Sequence, residues 1–211
     1  MLRAVLGASL PALLLTVAAQ APPPSAQEKT DAAAMQKKVA AIVARAEQIE
    51  KQKPGAAVKP GATPLRTTFT DREANAYFKI NGPEFLPAGV VNPEVAIDAG
   101  GRVNARAMVD LQKALQPSVF NPLSWIGGIT EVTAAGTVRA ENGKGTIQLE
   151  RATLAGISIP KSVLQQVVSY YTRTPEMPNG FNIDEPFDLP SKIQSVETAK
   201  GQATVVQPAL P

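Results

Sequence analysis

The sequence predicts an α+β fold: a curved antiparallel sheet of hairpins packed on one or two helices, preceded by an N-terminal signal peptide and a separate amphipathic helix. Two observations carry this. Apolar and polar residues alternate across Val91–Val109, Thr130–Leu154 and Ile193–Val206, each stretch folding back at a glycine-bearing turn, which is the period of strands with one wet face. Elsewhere, apolar residues recur at helical spacing behind a proline or a capping sequence.

Taken in order, Met1-Leu2-Arg3 and the apolar run Ala4–Ala19 have the make-up of a secretory signal peptide over residues 1–19, cut after Ala19. An uncleaved N-terminal anchor is the alternative. The leader implies a periplasmic or secreted protein, and with no cysteine near the cut there is no lipid-attachment site. Residues 20–30 form a spacer rich in proline, which fixes the backbone and removes donors. Over 31–53, Met35, Val39, Ile42, Ala46 and Ile49 recur at steps of four and three, an amphipathic helix able to close a pocket, pair with a second copy, engage a protein partner or lie on a membrane surface. Residues 54–64, with three prolines and two glycines, read as a linker.

A single α+β domain then spans 65–207, with a tail at 208–211. Thr70-Asp71-Arg72-Glu73 fits a capping box and starts a helix over about 71–79, stopped by Asn81-Gly82-Pro83. The first hairpin turns at Ala99-Gly100-Gly101, with Val103, Ala105, Ala107 and Val109 on one face. The second turns at Asn142-Gly143 and returns through Ile147, Leu149 and an irregular Ala152-Thr153-Leu154. Pro160 opens a helix over 161–171, whose Val163, Leu164, Val167, Val168 and Tyr171 need a sheet to cover. A last hairpin, 193–206, turns at Lys200-Gly201.

Between the first two hairpins, the segment from Leu111 to Ile129 is irregular yet apolar, with Leu115, Phe120 and Trp125. It reads either as a plain cover over the core or as a segment whose Phe120 and Trp125 form the mouth of an apolar cavity or touch a bilayer.

Composition removes most chemistry. The 211 residues contain no cysteine and no histidine, so a Ser-His-Asp triad, a Cys-His nucleophile, an ordinary zinc site and a disulfide are excluded. The net charge of +3, or +2 once a leader carrying Arg3 is removed, is too small for a phosphate-binding field, and no nucleic-acid partner is expected. The carboxylates are scattered without a pairing that singles out an acid and a base. Asp184-Glu185 with Asp188 lacks the glycine-centred loop of a calcium site and reads as a solvated acidic turn. Ser158 lacks the second glycine of a nucleophile elbow and any histidine to activate it. The expectation is no enzyme, no catalytic residue, no metal and no cofactor.

Three stretches resemble a known family. Phe69-Thr70-Asp71-Arg72-Glu73-Ala74-Asn75-Ala76-Tyr77-Phe78, Ala155-Gly156-Ile157-Ser158-Ile159-Pro160-Lys161-Ser162-Val163-Leu164 and Phe187-Asp188-Leu189-Pro190-Ser191-Lys192-Ile193 are similar in order and spacing to tubular lipid-binding (TULIP-like) envelope proteins, including LmeA-like bacterial lipid-binding domains. The resemblance covers roughly residues 65–207. It implies a strongly bent antiparallel sheet wrapping a long helix and enclosing an apolar groove for acyl chains.

On that footing the expected function is a non-catalytic cell-envelope protein that binds or carries a lipid or other apolar ligand in a sheet–helix groove. The candidate lining is Val103, Ala105, Ala107, Leu115, Phe120, Trp125, Leu149, Leu164, Val168 and Tyr171. Small residues at Ala105, Ala107, Ala134 and Gly136 leave room there, and each methylene moved out of water gains about 0.8 kcal/mol. Arg102, Arg106, Arg139, Lys161 or Arg173 could meet a lipid phosphate at the rim. The alternative is a structural or protein-interaction module of the envelope with a fully packed core, using residues 31–53 to engage its partner.

Overall fold

The computed structural model describes residues 23–52, 61–110, 128–175 and 177–210. The expected signal peptide, most of the linker and the segment holding Leu115, Phe120 and Trp125 lie outside them.

The first helix, α1 (Ala26–Glu50), begins five residues before the expected start. Its signal is Ser25-Ala26-Gln27-Glu28: the Ser25 hydroxyl accepts the Glu28 N–H at 3.2 Å, and the Glu28 carboxylate accepts the Ser25 N–H at 2.6 Å, a capping box inside what composition alone suggests is spacer. The helix does not stand apart. Ala32, Met35, Ile42 and Ala46 are buried against the remainder of the chain, so the apolar stripe faces inward.

Next come β1 (Leu65–Thr70) and α2 (Asp71–Asn81), joined by the predicted capping box at Thr70 and Glu73. The Asp71 N–H donates to the Gly201 carbonyl at 3.0 Å, and the Gly201 N–H to that of Ile97 at 2.8 Å, which ties the start of α2 to the last hairpin and the first.

Two antiparallel sheets follow. β2 (Val90–Ile97), β3 (Arg102–Asp110), β4 (Ile129–Glu141), β5 (Lys144–Leu154) and the short β6 (Ile157–Ser158) lie side by side in chain order, and β7 (Phe187–Asp188) also pairs with β5. The last hairpin, β8 (Ser195–Ala199) and β9 (Gln202–Gln207), does not extend this sheet. β9 pairs with β1 instead, Leu65 opposite Gln207 and Thr70 opposite Gln202, to make a separate three-stranded sheet. α3 (Lys161–Tyr171) packs against β5. Among the described residues no helix is long and apolar enough to cross a membrane.

The larger sheet has a bulge in β5. Ala135 pairs with Arg151 but the next residue, Gly136, pairs with Leu149, leaving Glu150 extra. One inserted residue resets the alternation, so Ile147, Leu149, Ala152 and Leu154 all share a face despite the three-residue step in the middle. This explains the irregular return strand. A second shift at Asn92-Pro93 bends β2, where Asn92 takes a φ of 47°.

Candidate functional site

Register divides the six-stranded sheet into two unlike faces. On the inner face the opposed residues are Val95, Ala105, Ala134 and Ala152 in one row, Val103, Gly136 and Leu149 in the next, and Ala107, Val132 and Leu154 in a third. On the outer face the rows read Glu94, Arg106, Thr133 and Thr153, then Ala96, Asn104, Ala135 and Arg151. A sheet so divided must place its inner face away from water.

That cover is incomplete. Ala152 and Leu154 are buried, but Val103, Ala105, Ala107, Val132, Ala134 and Leu149 are only half-buried. The inner face is therefore apolar and only partly covered. Its turn end is closed: the Phe187 ring occupies the space a side chain on Gly145 would fill, Phe181 packs edge-on against that ring at 5.1 Å, and Ala140 beside Gly145 is buried.

The opposite end carries apolar residues on both faces. Val90 and Val109 pair on the inner side. On the outer side Val91 pairs with Met108, and Ile129 starts β4, at positions where the strands elsewhere carry charge and hydroxyl groups. Phe85, Ile129 and Ile157 are 50%, 61% and 63% exposed. Phe85 also stacks on Tyr77 at 5.7 Å and meets Phe78 at 6.3 Å, an aromatic group at the end of α2. Sequence reading missed this rim. Its signal is a change of phase, since Val91 and Ile129 sit at outer-face positions and are apolar all the same.

Of the expected lining residues, Val103, Ala105, Ala107 and Leu149 do share the inner face. Leu164 and Val168 are half-buried on α3. Leu115, Phe120, Trp125 and the side chain of Tyr171 lie outside what is described. Gly136 does not supply room for a ligand: a Cβ there would overlap the Gln148 carbonyl, so the glycine is required by the bulge in β5.

The basic residues expected at a rim are mostly elsewhere. Arg102, Arg106 and Arg139 sit on the outer face; Arg102 pairs with Asp98 at 3.4 Å and Arg106 with Glu94. Lys161 pairs with Asp184. Asp188 pairs with Lys144 at 2.6 Å and Glu185 accepts from Asn182 at 2.8 Å, so the acidic turn is taken up by local partners.

A cleft of about 900 Å³ lies between the first turns of α1, the length of α2 and the middle of the six-stranded sheet, where Val95, Ala105 and Ala134 line it beside the outer-face residues. Two ion pairs lie in its wall: Lys79 with Glu28 at 2.6 Å and Arg72 with Asp31 at 3.0 Å. Glu28 is held down to about 2 by the hydrogen bond from Lys79 and the N–H of Ser25. Ala105 alone of the expected lining residues borders this cleft.

No family model and no curated protein matches the sequence. Among solved structures, a crystal structure of lipopolysaccharide binding protein is similar over 70% of this chain at 15% identity, with a TM-score of 0.21. The chain spans 41% of that protein's length.

Proposed function

We propose that this protein is a non-catalytic component of the cell envelope that binds or carries a lipid or other apolar ligand in the groove on the inner face of the six-stranded sheet. The reading rests on one observation: an apolar sheet face left half-buried, closed by Phe187 at one end and running out to exposed Ile157 at the other. Contiguous apolar surface is costly to leave in water, so it marks a place where something apolar docks. Ten methylenes laid there would gain about 8 kcal/mol before ordering losses. The apolar rim gives such a chain a way in from a bilayer by transient contact. The leader sequence supports a periplasmic or secreted location, and the lack of histidine and cysteine supports a role without catalysis.

Native mass spectrometry of the full chain, extracted gently from membranes of the producing cell, tests this. Bound lipid, together with a rise in melting temperature on adding lysophospholipid, is the expected result. Protein that never carries lipid and whose melting temperature ignores it would overturn the proposal.

A further inference from the structure

The contact that holds α1 on the body is built differently from the sheets. Four ion pairs cross it along nearly the whole helix: Glu28 with Lys79, Asp31 with Arg72, Lys38 with Glu73 at 2.6 Å, and Glu50 with Lys192 at 3.2 Å. In every pair at least one side chain keeps about a third or more of its surface in water, so each contributes little and is screened by salt. The apolar part is thin, because two of the four buried hydrophobic residues of α1 are alanines beside Met35 and Ile42.

The C-terminal half of the contact is also imperfectly satisfied. Arg45 donates through Nη2 to the Pro208 carbonyl at 2.9 Å, and Gln207, fully buried, donates through Nε2 to the Ile42 carbonyl at 2.9 Å. Yet Arg45 Nε and Gln207 Oε1 are both buried with no hydrogen-bond partner. A buried donor and a buried acceptor left unpaired oppose the docking that buries them, and both recover solvation when the joint opens. Residues 51–64 leave enough chain for α1 to move off without disturbing β1.

We infer that α1 is a detachable strap: it leaves the body as one unit while both sheets stay folded, and charge screening drives the release. Release bares the Met35 and Ile42 stripe and opens the cleft that the first turn of α1 walls. Once free, α1 loses the packing of its apolar face, from which most helical stability in proteins comes, so its amides lose protection.

Hydrogen–deuterium exchange of the full chain at 50 mM and 1 M sodium chloride reads this directly. Amides from Met35 to Glu47 are expected to exchange at least tenfold faster at high salt, while those of β3 and β4 are unchanged. At low salt, Lys38→Glu should mimic the high-salt pattern, whereas Lys38→Arg, which keeps the charge, should keep protection. If α1 and the strands exchange at one common rate at both salt concentrations, or if Lys38→Glu leaves α1 as protected as before, α1 is a fixed part of the core and the inference fails.

Discussion

Asn75 closes the free edge of the larger sheet against Val95. Its Nδ2 donates to the Val95 carbonyl at 2.9 Å, and its Oδ1 accepts the Val95 N–H at 2.6 Å, so one amide pairs both outward-facing backbone groups of Val95 in the outermost strand as a neighbouring strand would. Exposed edges invite pairing with another chain, and α2, running alongside β2, is the device that blocks it here.

Replacing this amide should therefore have two effects. Asn75→Ala leaves a part-buried N–H and C=O without partners, which is expected to lower stability by about 1–3 kcal/mol in urea unfolding. It should also make the protein self-associate at concentrations where the parent is monodisperse, as measured by light scattering. A variant that loses neither stability nor monodispersity would show that water serves this edge equally well.

Neighbouring glycines in the first hairpin turn should respond differently to one added methyl group. Gly100 and Gly101 both have positive φ, 74° and 81°. Around Gly100 a Cβ would meet open space, so Gly100→Ala should cost only the conformational penalty, about 1–2 kcal/mol. At Gly101 the same atom would overlap the Val138 carbonyl of β4, which is backbone and has nowhere to move. Gly101→Ala should be the more destabilising by a clear margin, and equal midpoints in chemical denaturation would contradict the close approach of turn and strand.

Acid should loosen the α1–α2 junction. Burial pushes the Glu73 carboxyl up, but the hydrogen bonds from Lys38 and the Thr70 N–H outweigh it and hold the group below its ordinary range; Glu28, bonded to Lys79 and Ser25, is lowered to about 2. A carboxyl depressed in the folded state stabilises it fully above its unfolded value, near 4.5, and that contribution disappears as pH falls through the folded value. Stability should thus decline between about pH 5 and pH 2. Glu73→Gln should make that decline shallower in urea midpoints taken across the range. An unchanged slope would place the acid sensitivity in other groups.

What the chain declares locally was legible. Asn142 and Gly143 both adopt positive φ, 52° and 75°, as a tight hairpin turn demands, and that dipeptide between alternating strands announces itself. The Thr70 capping box is equally local. The pairing of β1 with β9 was not legible, because Leu65 and Gln207 lie at opposite ends of the domain and neither strand carries a mark naming its partner. Docking of α1 was hidden for a related reason: a stripe of Met35 and Ile42 is the same in sequence whether it meets its own body or another chain. At the groove, alternation identified Val103, Ala105, Ala107 and Leu149 as one face, but could not say that Gly136 answers to a bulge, since the extra residue is Glu150 on the facing strand.

The groove itself can be tested by filling it. Ala134 lies between Ala105 and Ala152 on the inner face and is half-buried, so the space above it is either free or already occupied by close-packed neighbours. Ala134→Phe separates the two. In a packed core the added ring forces its neighbours aside at about 1–3 kcal/mol, and unfolding shifts accordingly. In an open groove the ring lies in the place of the ligand and buries apolar surface of its own, so stability is kept or gained. The variant should then lose the rise in melting temperature that lysophospholipid gives the parent, because filler and acyl chain compete for one volume. A variant that keeps both its parental stability and its full response to lipid would move the binding site away from this sheet face.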